Sequence, residues 1–380
     1  MNQADDRPPR QATINLAGVL AAFYERATMN APLRWMAQSV AAWIALSIGL
    51  FVSALPAREA IEIAPTAFKL NVEGGKTGLL PYYSNHPVGV DNPAIKRIVV
   101  AIHSSAYDAK SYCESVMMAA AKEGETDSTL VIAPHLLRES FAPSSIKPGI
   151  VVWKGQPFWG NQQAFLSGEG APIKISAFDV VDELIALLVR SGKLPNVKLV
   201  AVLGHSAGGQ MTQRYAALNR IEEALRGKGI RMKYLVMAPS SYLYFTPERH
   251  VAKTAYDFAL PAVPPAGYDR YGYGLNEPYA FMKGLDAATI NARYAPKVVL
   301  YLVGSRDVES KDEDQSFDDS PAAILQGRTR VERATIFLAY LKHLYGAEAV
   351  ASHRVVIAPG IGHNGRGLIL TDAAREFLFR

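Results

Sequence analysis

Cysteine is almost missing from this chain: its 380 residues hold one, Cys113. That excludes an intrachain disulfide and any zinc or iron site built on paired cysteines. Charge is sparse too, at 20% of residues with a net of +5, and no dense Lys/Arg block with interleaved aromatics occurs. The footprint of a nucleic-acid-binding protein is therefore not there. His-Glu-x-x-His, an EF-hand loop and a Walker-type glycine run are also missing. Glu73-Gly74-Gly75-Lys76-Thr77 ends like a phosphate loop but lacks the spacer and the helix that would follow. We therefore expect no metal, no cofactor and no nucleic-acid partner. No internal repeat or low-complexity tract is found. What is abundant is apolar sequence, 49% of residues, enough to bury a large core in a single α/β domain.

One uncharged stretch stands apart. Val40 to Val52 follows Arg34 and precedes the small residues of Val52-Ser53-Ala54 and Leu55-Pro56-Ala57. That is the layout of a secretory signal peptide. Met29-Asn30-Ala31-Pro32-Leu33-Arg34 makes a charged start for it, so translation is expected to begin at Met29, with residues 1–28 an upstream extension. The alternatives are an uncleaved membrane anchor over residues 40–57, close to the roughly 20 residues that span a bilayer, and a buried N-terminal helix. Residues 1–57 are thus read as an extension with signal peptide or anchor, and residues 58–380 as the folded domain. The protein is expected to be secreted or periplasmic, or else membrane-associated through the N-terminal segment.

Beyond residue 58, apolar runs alternate with helical patterns. Residues 60–72 and 78–83 read as leading strands. Further strands are expected at Lys96 to Ile102, Thr129 to Pro134, Lys198 to Leu203, Tyr234 to Ala238, Val298 to Val303 and Arg354 to Ala358. Helices are expected over Asp108 to Lys122 (with Cys113 buried on it), from Ser176 with Asp179 completing a capping box, over Gly208 to Leu225, Arg328 to Tyr345 and Thr371 to Arg380. Uninterrupted apolar strands between helices imply a mostly parallel sheet covered on both faces. Two insertions break the pattern. Residues 138–175 hold Trp153, Phe158, Trp159 and Phe165, and residues 241–296 are rich in tyrosine and proline. Long insertions of this kind tend to be lids or binding loops. The second is read as a cap over the site, and Trp159, Tyr242 and Tyr273 as substrate-binding.

The Lys198 to Leu203 run ends in Gly204-His205-Ser206-Ala207-Gly208 and a helical pattern follows at once. Glycines at 204 and 208 allow the sharp reversal that exposes a serine at a strand's carboxyl end. A lone serine hydroxyl is a weak nucleophile, so a base and an orienting acid are needed. Gly304-Ser305-Arg306-Asp307 and Pro359-Gly360-Ile361-Gly362-His363 each follow a later strand. Ser206, Asp307, His363 is the chain order of the alpha/beta-hydrolase superfamily, which this sequence resembles from about Ile95 to its end. The resemblance implies an alpha/beta-hydrolase fold with an inserted cap, and a serine hydrolase of carboxylic esters working through an acyl-enzyme.

In that reading Ser206 is nucleophile, His363 base in a mobile loop, and Asp307 its orienting acid; Asp312, Asp314, Asp318 and Asp319 are alternative acids. Ala207 should donate one oxyanion hydrogen bond, and Ser104 or Ser105 in the turn after the Lys96 to Ile102 strand the other. Many lipases carry His-Gly-Gly-Gly in that turn; here it is His103-Ser104-Ser105-Ala106, with His103 read as structural. The expected substrate is a small-molecule or polymeric ester. Thioesterase, amidase and acyltransferase chemistry use the same three residues, and a non-catalytic binding protein on the same fold is a further alternative. N-terminal sequencing of the protein isolated from its source should give a start after residue 50; peptides from residues 1–28 would overturn the expected start at Met29.

Overall fold

The computed structural model describes residues 62–72, 75–251, 256–308 and 317–380. The N-terminal segment, the turn at Glu73-Gly74 and the alternative acids Asp312 and Asp314 lie outside the described residues.

Eight strands make the main sheet: β1 (Thr66–Asn71), β2 (Thr77–Ser84), β3 (Arg97–Ile102), β4 (Thr129–Pro134), β5 (Leu199–His205), β6 (Arg231–Met237), β7 (Val299–Gly304) and β8 (His353–Ala358). Their spatial order is β1-β2-β4-β3-β5-β6-β7-β8. The six strands from β4 to β8 pair in parallel, and the β1–β2 hairpin joins antiparallel to β4. β3, β4, β5 and β7 are buried along almost their whole length. Strands covered on both faces have no polar side to alternate with, which is why they read as plain apolar runs. From β3 the chain goes to β4 on one side and then to β5 on the other. A crevice opens at the carboxyl ends of β3 and β5, where the winding direction reverses.

Helices α1 (Ala109–Lys122), α2 (Ala177–Arg190), α3 (Ala207–Leu218), α4 (Glu222–Gly227), α5 (Ala287–Tyr294), α6 (Arg330–Tyr345), α7 (Gly365–Ile369) and α8 (Asp372–Phe379) complete the main elements. Cys113 is buried on α1. The capping box of α2 forms in both directions: Asp179 N–H donates to Ser176 Oγ and Ser176 N–H to Asp179 Oδ2, each at 3.0 Å. Caps of this kind stabilise by about 1 kcal/mol. The helix expected to run from 208 to 225 instead stops and restarts. Asn219 is extended, its Nδ2 donates to Tyr215 O at 2.9 Å, and its Oδ1 accepts from Glu222 N–H at 3.1 Å. One side chain thus closes α3 and opens α4. No helix among the described residues is long and apolar enough to cross a membrane.

Both insertions carry more structure than their sequences suggest. Residues 137–173 form a small sheet of strands Leu137–Arg138, Val151–Trp153, Ala164–Leu166 and Pro172–Ile173. Residues 241–296 turn their first aromatics inward. Tyr242, Tyr244 and Phe245 are buried against Phe337 and Tyr340 of α6, and Phe258 packs on Tyr340 as well.

Three of the buried histidines resist protonation: burial pushes His103 and His353 down to about 4 and His135 to about 3. The unfolded chain binds their protons below about pH 6.5 and the folded chain does not, so stability falls as pH drops through that window, by up to about 1.4 kcal/mol per histidine per pH unit. Calorimetry should show Tm declining between pH 7 and 4; a flat profile would contradict this account.

Candidate active site

β5 ends in a turn where Ser206 takes φ 56° and ψ −118°. A non-glycine side chain there costs about 1–3 kcal/mol and is held only by its surroundings. Those surroundings are mostly backbone atoms. A Cβ on Gly208 would meet Ile102 O at 2.5 Å and His103 O at 2.6 Å, one on Gly204 would meet Thr212 Oγ1 at 2.7 Å and the Gly208 carbonyl, and one on Gly209 would collide with Met237 O. The first turn of α3 is thereby wedged between the ends of β3, β5 and β6. Ser206 N–H donates to Met237 O at 2.9 Å, fixing the turn to β6.

The candidate acid, Asp307, and the candidate base, His363, come from neighbouring strand ends. Ser305 N–H donates to Ala358 O at 2.8 Å and Arg306 N–H to Ile361 O at 2.9 Å, so the turn after β7 is stitched to the loop after β8. His363 Nδ1 lies 2.8 Å from Asp307 Oδ2. The Asp307 side chain is fully buried, and its Oδ1 accepts from Arg330 Nη1 at 3.1 Å. Arg330 begins α6 and also donates to Ser240 Oγ at 3.3 Å. Each Asp307 oxygen is thus held, one by the cation and one by the imidazole. With the carboxylate accepting at Nδ1, neutral His363 keeps its lone pair on Nε2.

His363 is seated on the serine turn. Its ring centroid is 4.3 Å from that of His205, whose Nδ1 is 2.9 Å from Tyr112 Oη. Gly365 fits against the same pair: a Cβ there would meet Tyr112 Oη at 2.6 Å and His205 Nδ1 at 3.1 Å. The next residue, Asn364, caps α7 with its Oδ1 accepting from Gly367 N–H at 2.7 Å.

Two cavities meet at Ser206. One, of about 340 Å³, has walls that include Ser104, Ser105, Asp108, Ser111, Ser206, His363 and Arg366. Ser206 and the His363 imidazole both line this space with no hydrogen bond between them, and contacts of this kind tighten on substrate binding. The other, of about 240 Å³, is lined by Ser105, Gln156, Phe158, Trp159, Ser206, Ala207, Gln210, Ser240 and Asp318.

The two oxyanion candidates in the turn after β3 separate here. Ser104 N–H and Oγ–H both point to Asp108 Oδ1, at 3.3 and 2.9 Å. Ser104 is therefore committed within its own turn, whereas Ser105 lies on the wall of both cavities. His103 orients it. Leu136 N–H donates to His103 Nε2 at 3.0 Å, so Nδ1 carries the hydrogen and donates to Ser104 O at 2.8 Å. The Ser104 carbonyl and the Ser105 N–H share one trans peptide plane, so holding the first aims the second. Ala207 N–H, first in α3, has no intrahelical acceptor.

No family model matches the sequence, and no curated protein matches it. Solved structures do. Poly(aspartic acid) hydrolase-1 from Sphingomonas sp. KT-1 superposes with a TM-score of 0.54 at 20% identity, over 84% of this chain and 100% of its own. LpqC, a poly(3-hydroxybutyrate) depolymerase from Bordetella parapertussis, does so with a TM-score of 0.54 at 19% identity, over 84% and 92%. This chain has the alpha/beta-hydrolase fold.

Within that fold, the aromatic expectations need correction. Tyr242 is core: it is fully buried and stacked on Phe337 at 4.5 Å, because the chain leaving β6 runs inward. Trp159 does line a cavity, and Tyr273 stands edge-on behind it at 5.7 Å with its hydroxyl on Asp318 Oδ2 at 2.6 Å. The described residues of 241–296 supply none of the lining of either cavity, so among the described residues the expected cap over the site does not line the space at Ser206. The 138–175 insertion contributes instead, through Gln156, Phe158 and Trp159. Asp318, an alternative acid, sits on the Trp159 side and bonds Tyr273 rather than His363.

Arg330 escaped the sequence reading because nothing in its spacing from Asp307 marks it. Removing one partner of a buried ion pair costs about 3–5 kcal/mol. Arg330→Met should lower the unfolding free energy by that order in urea titration; a change under about 1 kcal/mol would show that Asp307 does not depend on it.

Proposed function

We propose that this chain is a serine hydrolase that cleaves carboxylic esters through an acyl-enzyme, with Ser206, His363 and Asp307 as its catalytic residues. The observation that carries the reading is the 2.8 Å contact of His363 Nδ1 with Asp307 Oδ2, at the rim of the cavity that the strained Ser206 lines. The two structural neighbours are by name a hydrolase and a depolymerase of polymers, which supports hydrolysis and admits a polymeric ester as substrate. Residues 29–57 serve in this reading as the export segment, cleaved or kept as an anchor.

The chemistry follows from the residues. Ser206 Oγ bonds to the ester carbonyl carbon as its proton passes to His363 Nε2. The carbonyl oxygen becomes an oxyanion facing Ser105 and Ala207 N–H; a single donor of this kind is worth about 3 kcal/mol. Asp307 stabilises the imidazolium without taking its proton. The carbon–oxygen bond to the alcohol then breaks, and Nε2–H protonates the departing oxygen. Water repeats the sequence on the acyl-enzyme, giving up its proton to Nε2, and Ser206 leaves with that proton as the acid is released. Proton transfer of this type contributes about 10²–10⁴-fold.

Ser206→Ala should cut kcat/KM on p-nitrophenyl butyrate by at least about 10⁴-fold with Tm nearly unchanged, and a fluorophosphonate should label Ser206. Asp307→Asn should cost about 10⁴-fold in kcat by imposing the wrong imidazole tautomer. Full turnover in Ser206→Ala would overturn the reading; full turnover in Asp307→Asn would remove Asp307 from it.

A further inference from the structure

The spaces on the two sides of Ser206 are chemically unlike, and the direction of proton transfer says which part of a substrate each one takes. The imidazole that accepts the serine proton must hand it to the departing oxygen. The departing group therefore lies in the cavity that His363 lines, and the acyl group in the one that His363 does not reach. Resting on the reading of Ser206 as nucleophile, we propose that the preferred substrates are esters of a compact acyl group with a hydroxyl-rich, uncharged alcohol.

The alcohol side is mostly polar. No Leu, Ile, Val or Met side chain lines it. Its walls offer the Asp108 carboxylate, the exposed Ser111 hydroxyl on α1, Asn364, and the Arg366 guanidinium. Arg366 Nη2 has Met118 Sδ at 3.2 Å as its hydrogen-bond partner, an acceptor far weaker than a carboxylate. An alkyl chain here would strip water from a carboxylate and a guanidinium and return nothing, which costs free energy at each group. Alcohol hydroxyls replace that water, donating to Asp108 and accepting from Arg366. One charge of each sign leaves no net pull on an ionic ligand.

The acyl side is short and braced. Trp159 forms part of its wall, and the indole is held on three sides. Its Nε1–H donates to Gln210 Oε1 at 3.0 Å, and the buried Arg214 guanidinium lies 4.9 Å from the ring centroid. Gly272 presses so closely that a Cβ there would meet the ring at 2.6 Å. A wall fixed by a hydrogen bond, a cation and a backbone contact does not swing aside for a long chain, and the space it leaves is about 240 Å³.

The test is a matched pair of esters with one acyl group: glycerol monobutyrate against hexyl butyrate. The full-length enzyme should favour the glycerol ester by at least tenfold in kcat/KM, and Ser111→Leu should bring the ratio near one by lowering the glycerol value. On the acyl side, Trp159→Ala should raise the ratio of p-nitrophenyl octanoate to p-nitrophenyl butyrate hydrolysis about tenfold. A wild-type preference for hexyl butyrate, or an unmoved ratio in Ser111→Leu, overturns the alcohol assignment; an unmoved acyl-length ratio in Trp159→Ala overturns the acyl one. In either case activity lost in Ser206→Ala leaves the nucleophile standing, whereas activity that survives that substitution overturns the serine reading itself.

Discussion

Everything at this site depends on one steric fact: the first turn of α3 touches three strand ends mainly through backbone atoms. Gly204, Gly208 and Gly209 lie against the Gly208, Ile102, His103 and Met237 carbonyls where no Cβ fits. That contact holds Ser206 in a conformation it would otherwise leave. It also sets Ala207 N–H and the turn after β3 in fixed relation, since His103 belongs both to the contact and to the hydrogen bonds that orient Ser105. Two donors and a hydroxyl are thus placed by packing of main chain, the stiffest material in the molecule.

The acid is secured by a second and quite different means. Asp307 is buried between Arg330 and His363, and the helix that carries Arg330 is itself buttressed from outside the sheet. Gln326, just before that helix, bonds both backbone groups of Tyr242 at 2.8 Å, and Tyr340 Oη accepts from Phe245 N–H at 2.9 Å. The tyrosine-rich insertion therefore supports the start of α6 rather than roofing the cleft. Its aromatics act on the site at one remove, through the position of a guanidinium.

Much of this was legible in the primary structure, for physical reasons. Strands buried on both faces become unbroken apolar runs, so the ends of β5, β7 and β8, and with them the turns that carry the candidates Ser206, Asp307 and His363, could be located to within two residues. The glycines of the serine turn announce themselves because nothing else fits. Strands of two or three residues, as in the 137–173 sheet, are too short to carry a period. Tyr242 was misread because an aromatic in a long insertion does not say whether it faces inward. The choice between Ser104 and Ser105 turns on Asp108, a hydrogen bond that spacing does not encode, and Arg330 reaches Asp307 only through the tertiary fold.

The fit of Gly365 against Tyr112 and His205 ties the loop bearing the imidazole to the strand bearing the serine. Positions 112, 205 and 365 thus form one mechanical joint assembled from three distant parts of the chain. A loop transplanted from another protein of this fold, brought in to alter what the enzyme accepts, inherits that joint. It will seat only if all three positions travel together.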